Sequence, residues 1–286
     1  MKKCKVCGGN DIFYDRTNMM GSHGELKVCG HIEEICTCGK IPPFQNFDKK
    51  GVQSWCSCRS PRLKLIETKR AFRESQIPKK YQWMFSEDFE IVSDKANMLI
   101  SIVNTLKDLS PGQNVKQGFY IWGPAGSGKT LFACIIMQEL MLKFGRGGKF
   151  IDLSRQFFQR LRDSYSATDK SYGETGRILD ELIDIPFLVI DDFGVQRNTE
   201  WEMEMLYNLI DSRYTGERPT IITSNISIDT FKSNVYGKSE NKGKDGNEKA
   251  VSISHDRIHS RIQEMCKTIY FELPDYRKKF KQEIKF

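Results

Sequence analysis

One stretch, residues 118–130 (GFYIWGPAGSGKT), most constrains what this chain can fold into. It begins with a short apolar run that is typical of a buried strand, and it continues with a segment that fits G-x-x-x-x-G-K-[ST] at every fixed position. Apolar residues at helical spacing follow over residues 131–142. A strand, a glycine-rich loop and a helix in this order are the context of a phosphate-binding loop. The stretch therefore predicts binding of a nucleoside triphosphate rather than an ordinary glycine-rich turn.

The residues of this loop have distinct expected roles. Glycines let the backbone N–H groups turn inward without a Cβ clash. The Lys129 ammonium is expected to reach the β- and γ-phosphates, and the Thr130 hydroxyl to bind Mg²⁺. The predicted nucleotide-binding residues of the loop are Gly123, Pro124, Ala125, Gly126, Ser127, Gly128, Lys129 and Thr130.

Two carboxylates end a second predicted strand, in which residues 187–190 are all apolar. Parallel sheets place their chemistry at the carboxyl ends of strands, which favours a functional role for these carboxylates over a solvated turn. We assign Asp191 to Mg²⁺, directly or through water, and Asp192 to orienting or deprotonating an attacking water. Asn225, at the end of another predicted strand, is expected to hold that water or the γ-phosphate. Because nothing resembles a kinase acceptor site, the expected reaction is slow ATP hydrolysis that acts as a switch.

The N-terminal 60 residues carry a separate signal, because seven of the nine cysteines lie within the first 58 residues. This segment has few long apolar runs, so a cross-link is needed to hold it together. We expect structural zinc, with four thiolate or imidazole ligands for each ion, rather than free thiols. Eight ligands would fill two sites, although fewer sites remain an alternative. The candidate ligands form four closely spaced pairs: Cys4 and Cys7, Cys29 and His31, Cys36 and Cys38, Cys56 and Cys58.

The length of 286 residues suits one sizeable domain and a smaller one. We predict a zinc-binding module over residues 1–60, a basic helix and linker over 61–93, and an ATPase domain over 94–286. The linker is expected to pack on the ATPase domain. Residues 231–249 are polar and predict an exposed loop, after which Ser254 is expected to cap the last helix.

The formal charge of +7 permits contact with nucleic acid without requiring it. The first ten residues lack the apolar core of a signal peptide. The longest apolar stretch is interrupted by Gln138 and Glu139, so no membrane span and a cytoplasmic location are expected.

Four segments occur in the order found in AAA+ ATPases: GPAGSGKT, FLVIDDFG, PTIITSN and DRIHSRI. More narrowly, the chain resembles the bacterial and phage helicase loaders of the DnaC/DnaI type, in the CxCR sequence at 56–59 and the IPKKY sequence at 77–81. The resemblance covers residues 56–286, and the first 55 residues match only in having a CxxC. It implies an α/β fold in which helices flank a parallel sheet, with a short C-terminal lid after the sheet. The insertion at 232–249 departs from the pattern.

The resemblance also implies roles for single residues. Asn225 corresponds to sensor 1, Arg261 to the arginine finger and Arg277 to sensor 2. For zinc, it implies a first site of Cys4, Cys7, Cys56 and Cys58 and a second site of Cys29, His31, Cys36 and Cys38. Residues 157–183 stand where relatives carry paired helices that grip single-stranded DNA, with Phe157, Phe158 and Tyr165 as candidate stacking residues. For the two phenylalanines, a place in the core is an equally good interpretation.

The resulting expectation is an ATP-dependent loader of a hexameric replicative helicase onto single-stranded DNA, in replication initiation or restart. The zinc module would hold the helicase, and the ATPase domain would self-associate. A transposition helper ATPase of the IstB type is the first alternative, and the cysteine-rich front end is not expected on it. An adaptor that senses ATP without useful turnover is the second.

Overall fold

The computed structural model describes residues 4–16, 24–88, 94–109, 115–166, 173–195, 199–236 and 246–273. The N-terminal part consists of two small antiparallel hairpins. Strands β1 (Ile12–Asp15) and β2 (Glu25–Val28) form the first, helix α1 (Gly30–Glu34) follows, and β3 (Gln45–Phe47) and β4 (Gln53–Trp55) form the second. The long helix α2 (Arg59–Glu74) leads away from these hairpins.

The rest of the described chain alternates strands and helices. Two 3-10 turns (Lys79–Tyr81 and Ser86–Asp88) precede the alternation, and a π-helical turn (Leu153–Phe157) interrupts it. In chain order the elements are α3 (Asp94–Asp108), β5 (Gly118–Trp122), α4 (Lys129–Phe144), β6 (Gly148–Asp152), α5 (Phe158–Ser166), α6 (Glu174–Asp184), β7 (Phe187–Phe193), α7 (Glu200–Thr215), β8 (Thr220–Ser224), α8 (Ile228–Tyr236), α9 (Gly246–Met265) and β9 (Cys266–Tyr270).

Five strands form one parallel sheet in the order β6-β7-β8-β5-β9. The strands are nearly continuous apolar runs because both faces of the sheet are covered. One face packs against α3, α4 and the segment that follows α2, and the other packs against α5 to α9. The predicted α/β fold, a parallel sheet flanked by helices, is confirmed.

Helix α4 lies at the centre of the first face, and its residues 132–141 are all buried. Two of these residues are polar, and both bind the segment that follows α2. Gln138 Nε2 donates to the carbonyl oxygens of Tyr81 and Met84 at 3.0 and 2.9 Å, and Gln138 Oε1 accepts from the Trp83 N–H at 2.7 Å. Glu139 accepts hydrogen bonds from the Ser86 N–H and hydroxyl. The expected packing of this segment on the next domain therefore involves α4 directly.

A stack of aromatic rings joins the N-terminal hairpins to the same segment. The Trp83 indole lies between Tyr14 of β1 and Phe72 of α2, with ring centroids 5.6 and 4.8 Å away and nearly parallel planes. Next to the stack, the Arg16 guanidinium pairs with both carboxylate oxygens of Asp88. The hairpins, α2 and α4 thus share one core. The predicted boundaries at residues 60 and 93 stay predictions.

The polar segment at residues 231–249 is not the exposed loop that the sequence predicts. Its first part belongs to α8, where Phe231 is buried, and its last part begins α9. Ser254 consequently lies inside α9 rather than at its start. The apolar residues at 228 and 231, four and one positions from Lys232, explain the helix, because together they cover the second core. Residues 237–245 and the predicted lid with Arg277 lie outside the described part of the chain. Within that part, no helix combines the length and the apolar character needed to cross a membrane.

Replacing Gln138 by leucine should lower the free energy of unfolding by about 2–4 kcal/mol, because it leaves a buried N–H and two buried carbonyl groups without partners. Urea unfolding followed by circular dichroism measures the change. Gln159 on α5 is the matched control, since its exposed side chain bonds only along its own helix, to Asp163 and Arg162. An equally small change in both variants would contradict a structural role for Gln138.

Candidate nucleotide and metal sites

The phosphate-loop motif forms the turn between β5 and the N-terminus of α4. Its first glycine, Gly123, has φ 154° and lies against the last strand, so that a Cβ there would come within 2.3 Å of the Phe271 carbonyl oxygen. Gly128 has φ 98°, in the left-handed region that glycine adopts without strain, and it is the residue before the first turn of α4. The loop amides and the N-terminus of a 16-residue helix therefore face one position, as phosphate binding requires.

The Lys129 side chain crosses this loop and is buried. Its ammonium donates to the carbonyl oxygens of Gly123 and Pro124 at 2.9 and 2.7 Å, and to Asn225 Oδ1 at 3.0 Å. The structure thus brings together the predicted loop cation and the predicted sensor residue, which are 96 positions apart in the chain.

A bulge in the sheet sets the positions of the two aspartates. Ile190 pairs with Ile222 and Phe193 with Ser224, so Asp191 and Asp192 together lie opposite the single residue Thr223. The Thr223 hydroxyl donates to Asp191 Oδ1 and accepts the Asp192 N–H at 3.2 Å. Asp192 has φ 58° and is half-buried, whereas Asp191 is buried. Bulges re-aim side chains next to active sites, and this one separates the environments of two adjacent carboxylates.

Asp191 is an electrostatically strained carboxylate. Burial raises the pKa of Asp191 to about 6, and the nearby carboxylates of Asp192 and Asp152 raise it further, while hydrogen bonds from Thr223 and Thr130 lower it. Asp152 ends β6 directly opposite Asp191. Oxygen donors with surplus negative charge are what Mg²⁺ prefers, so the residues present fit this ion, with Thr130 and Asp191 as its protein ligands.

Sequence reasoning missed Thr223 and Asp152. Both are polar residues at the carboxyl ends of apolar strands, and this position was the only available signal. The bulge itself leaves no mark in the sequence.

The other predicted site residues have mixed outcomes. Arg261 Nε donates to Asp211 Oδ1 of α7 at 2.8 Å, and its guanidinium lies 4.6 Å from the Tyr214 ring centroid. Phe157 and Phe158 are buried in the second core, so the prediction that they stack on nucleic acid is wrong. The Tyr165 side chain and Arg277 lie outside what the structure describes.

The eight candidate zinc ligands form two groups, but not the two that the resemblance implied. Within each group, the ligand atoms lie within 4.8 Å of one another. The implied pairing is wrong because the second hairpin carries Cys56 and Cys58 to the loop after α1 and away from the first CxxC. The first group is Cys4, Cys7, Cys29 and His31, and the second is Cys36, Cys38, Cys56 and Cys58.

The spacing of the sulfur atoms fits tetrahedral zinc, in which Zn–S bonds of about 2.3 Å place the sulfurs about 3.8 Å apart. In the second group, the Cys58 Sγ lies 3.4 Å from the Cys36 Sγ and 3.5 Å from the Cys38 Sγ. In the first group, the Cys4 and Cys29 Sγ atoms are 3.7 Å apart. The donor sets are therefore suited to structural zinc.

Second-shell contacts support this interpretation of both groups. The His31 ring faces the Cys7 Sγ with Nδ1, while its Nε2 lies 3.3 Å from Asp11 Oδ1. A carboxylate on the far nitrogen of a histidine ligand fixes the orientation of its ring. Backbone N–H groups lower the pKa of the Cys56 thiol to about 5, which favours the thiolate form that binds metal.

Comparison with known proteins places this arrangement in a family. Residues 63–240 match the IstB-like ATP binding proteins. The chain belongs to this family. It is 25% identical over 144 residues to the replicative helicase loader DnaC of Escherichia coli K12, and 30% identical over 124 residues to a putative ATP-binding protein of insertion sequence IS1162 from Pseudomonas fluorescens. These matches span 50% and 43% of this chain, and 57% and 50% of the relatives. The chain thus spans about half the length of the curated relatives that it matches.

Solved structures show the same fold. The crystal structure of the DnaC helicase loader has a TM-score of 0.52 at 21% identity, covering 68% of this chain and all of that one. The crystal structure of DnaI has a TM-score of 0.53 at 19% identity, covering 70% of this chain and 96% of that one. The resemblance to DnaC/DnaI-type AAA+ proteins that the motifs indicated is confirmed.

A pair of double variants tests the metal groups. Cys4→Ser/Cys29→Ser removes two ligands of the first group, so protein purified without chelator should retain about one zinc per chain where the wild type has about two. Cys4→Ser/Cys58→Ser removes one ligand from each group and should retain much less than one. Cys134→Ala, in the buried core, is the control and should keep the wild-type content. The pairing that the resemblance implied requires the opposite result for the two double variants. Elemental analysis of each protein decides between them.

Proposed function

We propose that this protein is an ATP-dependent loader of a hexameric replicative helicase onto single-stranded DNA, and that it hydrolyses ATP slowly. The observation that carries the proposal is the joining of a phosphate loop with an aspartate pair to two cysteine-rich metal groups. The family match begins at residue 63, so both metal groups precede it. An added front end of this kind suits attachment to a protein partner.

The roles proposed for the site residues follow from their positions. Lys129 exchanges its loop carbonyls for the β- and γ-phosphates, and Thr130 and Asp191 hold Mg²⁺. Asp192, turned away from Asp191 by the bulge, orients or deprotonates the attacking water. Asn225, which contacts Lys129, follows the state of the γ-phosphate. Bound ATP and Mg²⁺ supply the phosphoryl chemistry, and these side chains supply position and charge.

The two metal groups are proposed to hold zinc and to keep the hairpins folded for helicase binding. This part of the molecule is not remote from the ATPase core. Asn10, between the first CxxC and β1, donates to the Leu142 carbonyl of α4 at 2.7 Å. A helicase held by the hairpins would therefore be attached to the helix that begins at the phosphate loop.

A transposition helper is the second candidate, because the family and the IS1162 relative favour it. It shares the nucleotide site and differs in its partner, a transposase. An adaptor that binds ATP without turnover differs in its reaction.

Co-purification and ATPase measurements separate the three. The full chain, mixed with the replicative helicase of its own cell and ATP, should co-elute with the helicase and transfer it to a closed single-stranded DNA circle. Lys129→Ala should lose the transfer, and Asp192→Asn should bind ATP but lose DNA-stimulated hydrolysis. Co-elution with a transposase instead of the helicase supports the second candidate. ATP binding with no turnover above that of Asp192→Asn supports the adaptor.

Arg261 is proposed to reach the γ-phosphate bound by a neighbouring copy of the chain. Its ion pair with Asp211 is partly exposed, with about a third of each side chain accessible, so it costs little to exchange for a phosphate. An arginine in this role accelerates hydrolysis by roughly 10³–10⁵. We expect Arg261→Ala to bind ATP normally and to lose the more-than-linear rise of activity with protein concentration.

Mixing variants tests whether Arg261 acts between copies. Arg261→Ala and Lys129→Ala each lack what the other retains, so a mixed assembly should recover part of the turnover. Arg257→Ala is the matched control on the same helix, where the arginine lies over Tyr207 rather than beside Asp211. No recovery, when the two proteins demonstrably co-assemble, would contradict action between copies.

A further inference from the structure

The second hairpin presents two aromatic rings on one face. Gln45 pairs with Trp55 and Phe47 with Gln53, and paired residues in an antiparallel ladder point to the same side. All four side chains therefore share a face, which we call the hairpin face. Phe47 is 69% exposed and Trp55 is 57% exposed. Most large aromatic side chains of the described chain are covered, so this pair needs an explanation.

The hairpin face is held rigidly. In the loop between its strands, Asp48 Oδ1 accepts the N–H groups of Lys50 and Val52 at 2.8 Å each. At its base, the Cys56 N–H bonds to the Phe44 carbonyl at 3.0 Å, and Cys56 belongs to the second metal group. Aromatic rings that are exposed on a fixed support lose little entropy when they bind a ligand.

Positive charge surrounds the two rings. The Arg59 guanidinium carbon lies 4.0 Å from the Trp55 ring centroid, and Lys49 and Lys50 are exposed in the loop at the other end. The single carboxylate between residues 45 and 55, that of Asp48, already accepts two backbone hydrogen bonds. The charge of the hairpin face therefore complements a polyanion, and the glutamines beside the rings offer uncharged donors and acceptors.

We propose that the hairpin face binds single-stranded nucleic acid, with bases stacked on Phe47 and Trp55 and phosphates near Lys49, Lys50 and Arg59. Base stacking on aromatic side chains above a cationic surface is how single strands are bound without sequence preference. A duplex keeps its bases stacked on each other and leaves no face for these rings. The proposal needs neither ATP nor a helicase, so it does not depend on the loader role.

Oligonucleotide binding by the full chain tests the proposal. Fluorescence anisotropy with labelled oligo(dT) and oligo(rU), without nucleotide, should show about tenfold weaker binding for Trp55→Leu and for Phe47→Leu. Trp55→Phe keeps a ring and should stay within about threefold of the wild type, while less of the tryptophan fluorescence is quenched on binding. Replacing Lys49 and Lys50 by alanine should reduce the slope of log affinity against log salt by about 1.4. Comparing oligo(dT) with oligo(rU) shows whether DNA or RNA is preferred.

Two controls keep the result specific. Val6→Ala removes an equally exposed apolar side chain from the first metal group and should bind like the wild type. Metal content and circular dichroism of each variant show that the hairpin has kept its fold. Leucine is chosen because it keeps apolar area without a ring, so a protein partner would tolerate it better than a base does. Affinities of Trp55→Leu and Phe47→Leu within twofold of the wild type would overturn the proposal and assign the face to a protein partner.

Discussion

Helix α4 has no side that faces solvent, and the rest of the structure is arranged around this constraint. Its N-terminus must remain open for the phosphate loop, so the burial has to come from its flanks and its later turns. The sheet covers one flank, and α2, α3 and the segment containing Trp83 cover the others. The two polar residues in its buried stretch, Gln138 and Glu139, are tolerated because backbone groups of that segment satisfy them.

This arrangement has a mechanical result. The loop that would hold phosphate and the residues that hold the N-terminal hairpins are the two ends of a single helix of 16 residues. A rigid helix transmits a shift at one end to the other without an intermediate hinge. The paired aspartates lie on the other side of the loop and are set by Thr223, so both groups that would read the nucleotide rest on buried, hydrogen-bonded supports.

The fold could be read from the sequence wherever the signal is local. The apolar runs that end in Trp122, Asp191 and Asn225 indicate buried strands at a common sheet edge, and the structure confirms each of them. The polar stretch after Phe231 misled, because its composition outweighed a short apolar pattern that needs the core to form a helix.

Other features required positions in space. Which cysteines meet depends on how the second hairpin folds back, and spacing along the chain carries no information about that. The same holds for Thr223, whose neighbours are decided by a bulge, and for Asp11, which supports His31 from a turn. Exposed rings such as Trp55 look like core residues in the sequence, and only the ladder shows that they share an open face.

The place of β9 has a consequence for how the protein is made. Strand β5, which leads into the phosphate loop, is paired on one side by β8 and on the other by β9, whose next residue, Phe271, covers Gly123. A ribosome releases β9 only after nearly all of the preceding chain has emerged. Until then, β5 is an open edge with unpaired amides, a template for mispairing with another nascent chain. A product truncated before residue 266 would keep that edge permanently, so damaged messages should yield aggregates or substrates for proteolysis rather than partial nucleotide-binding proteins.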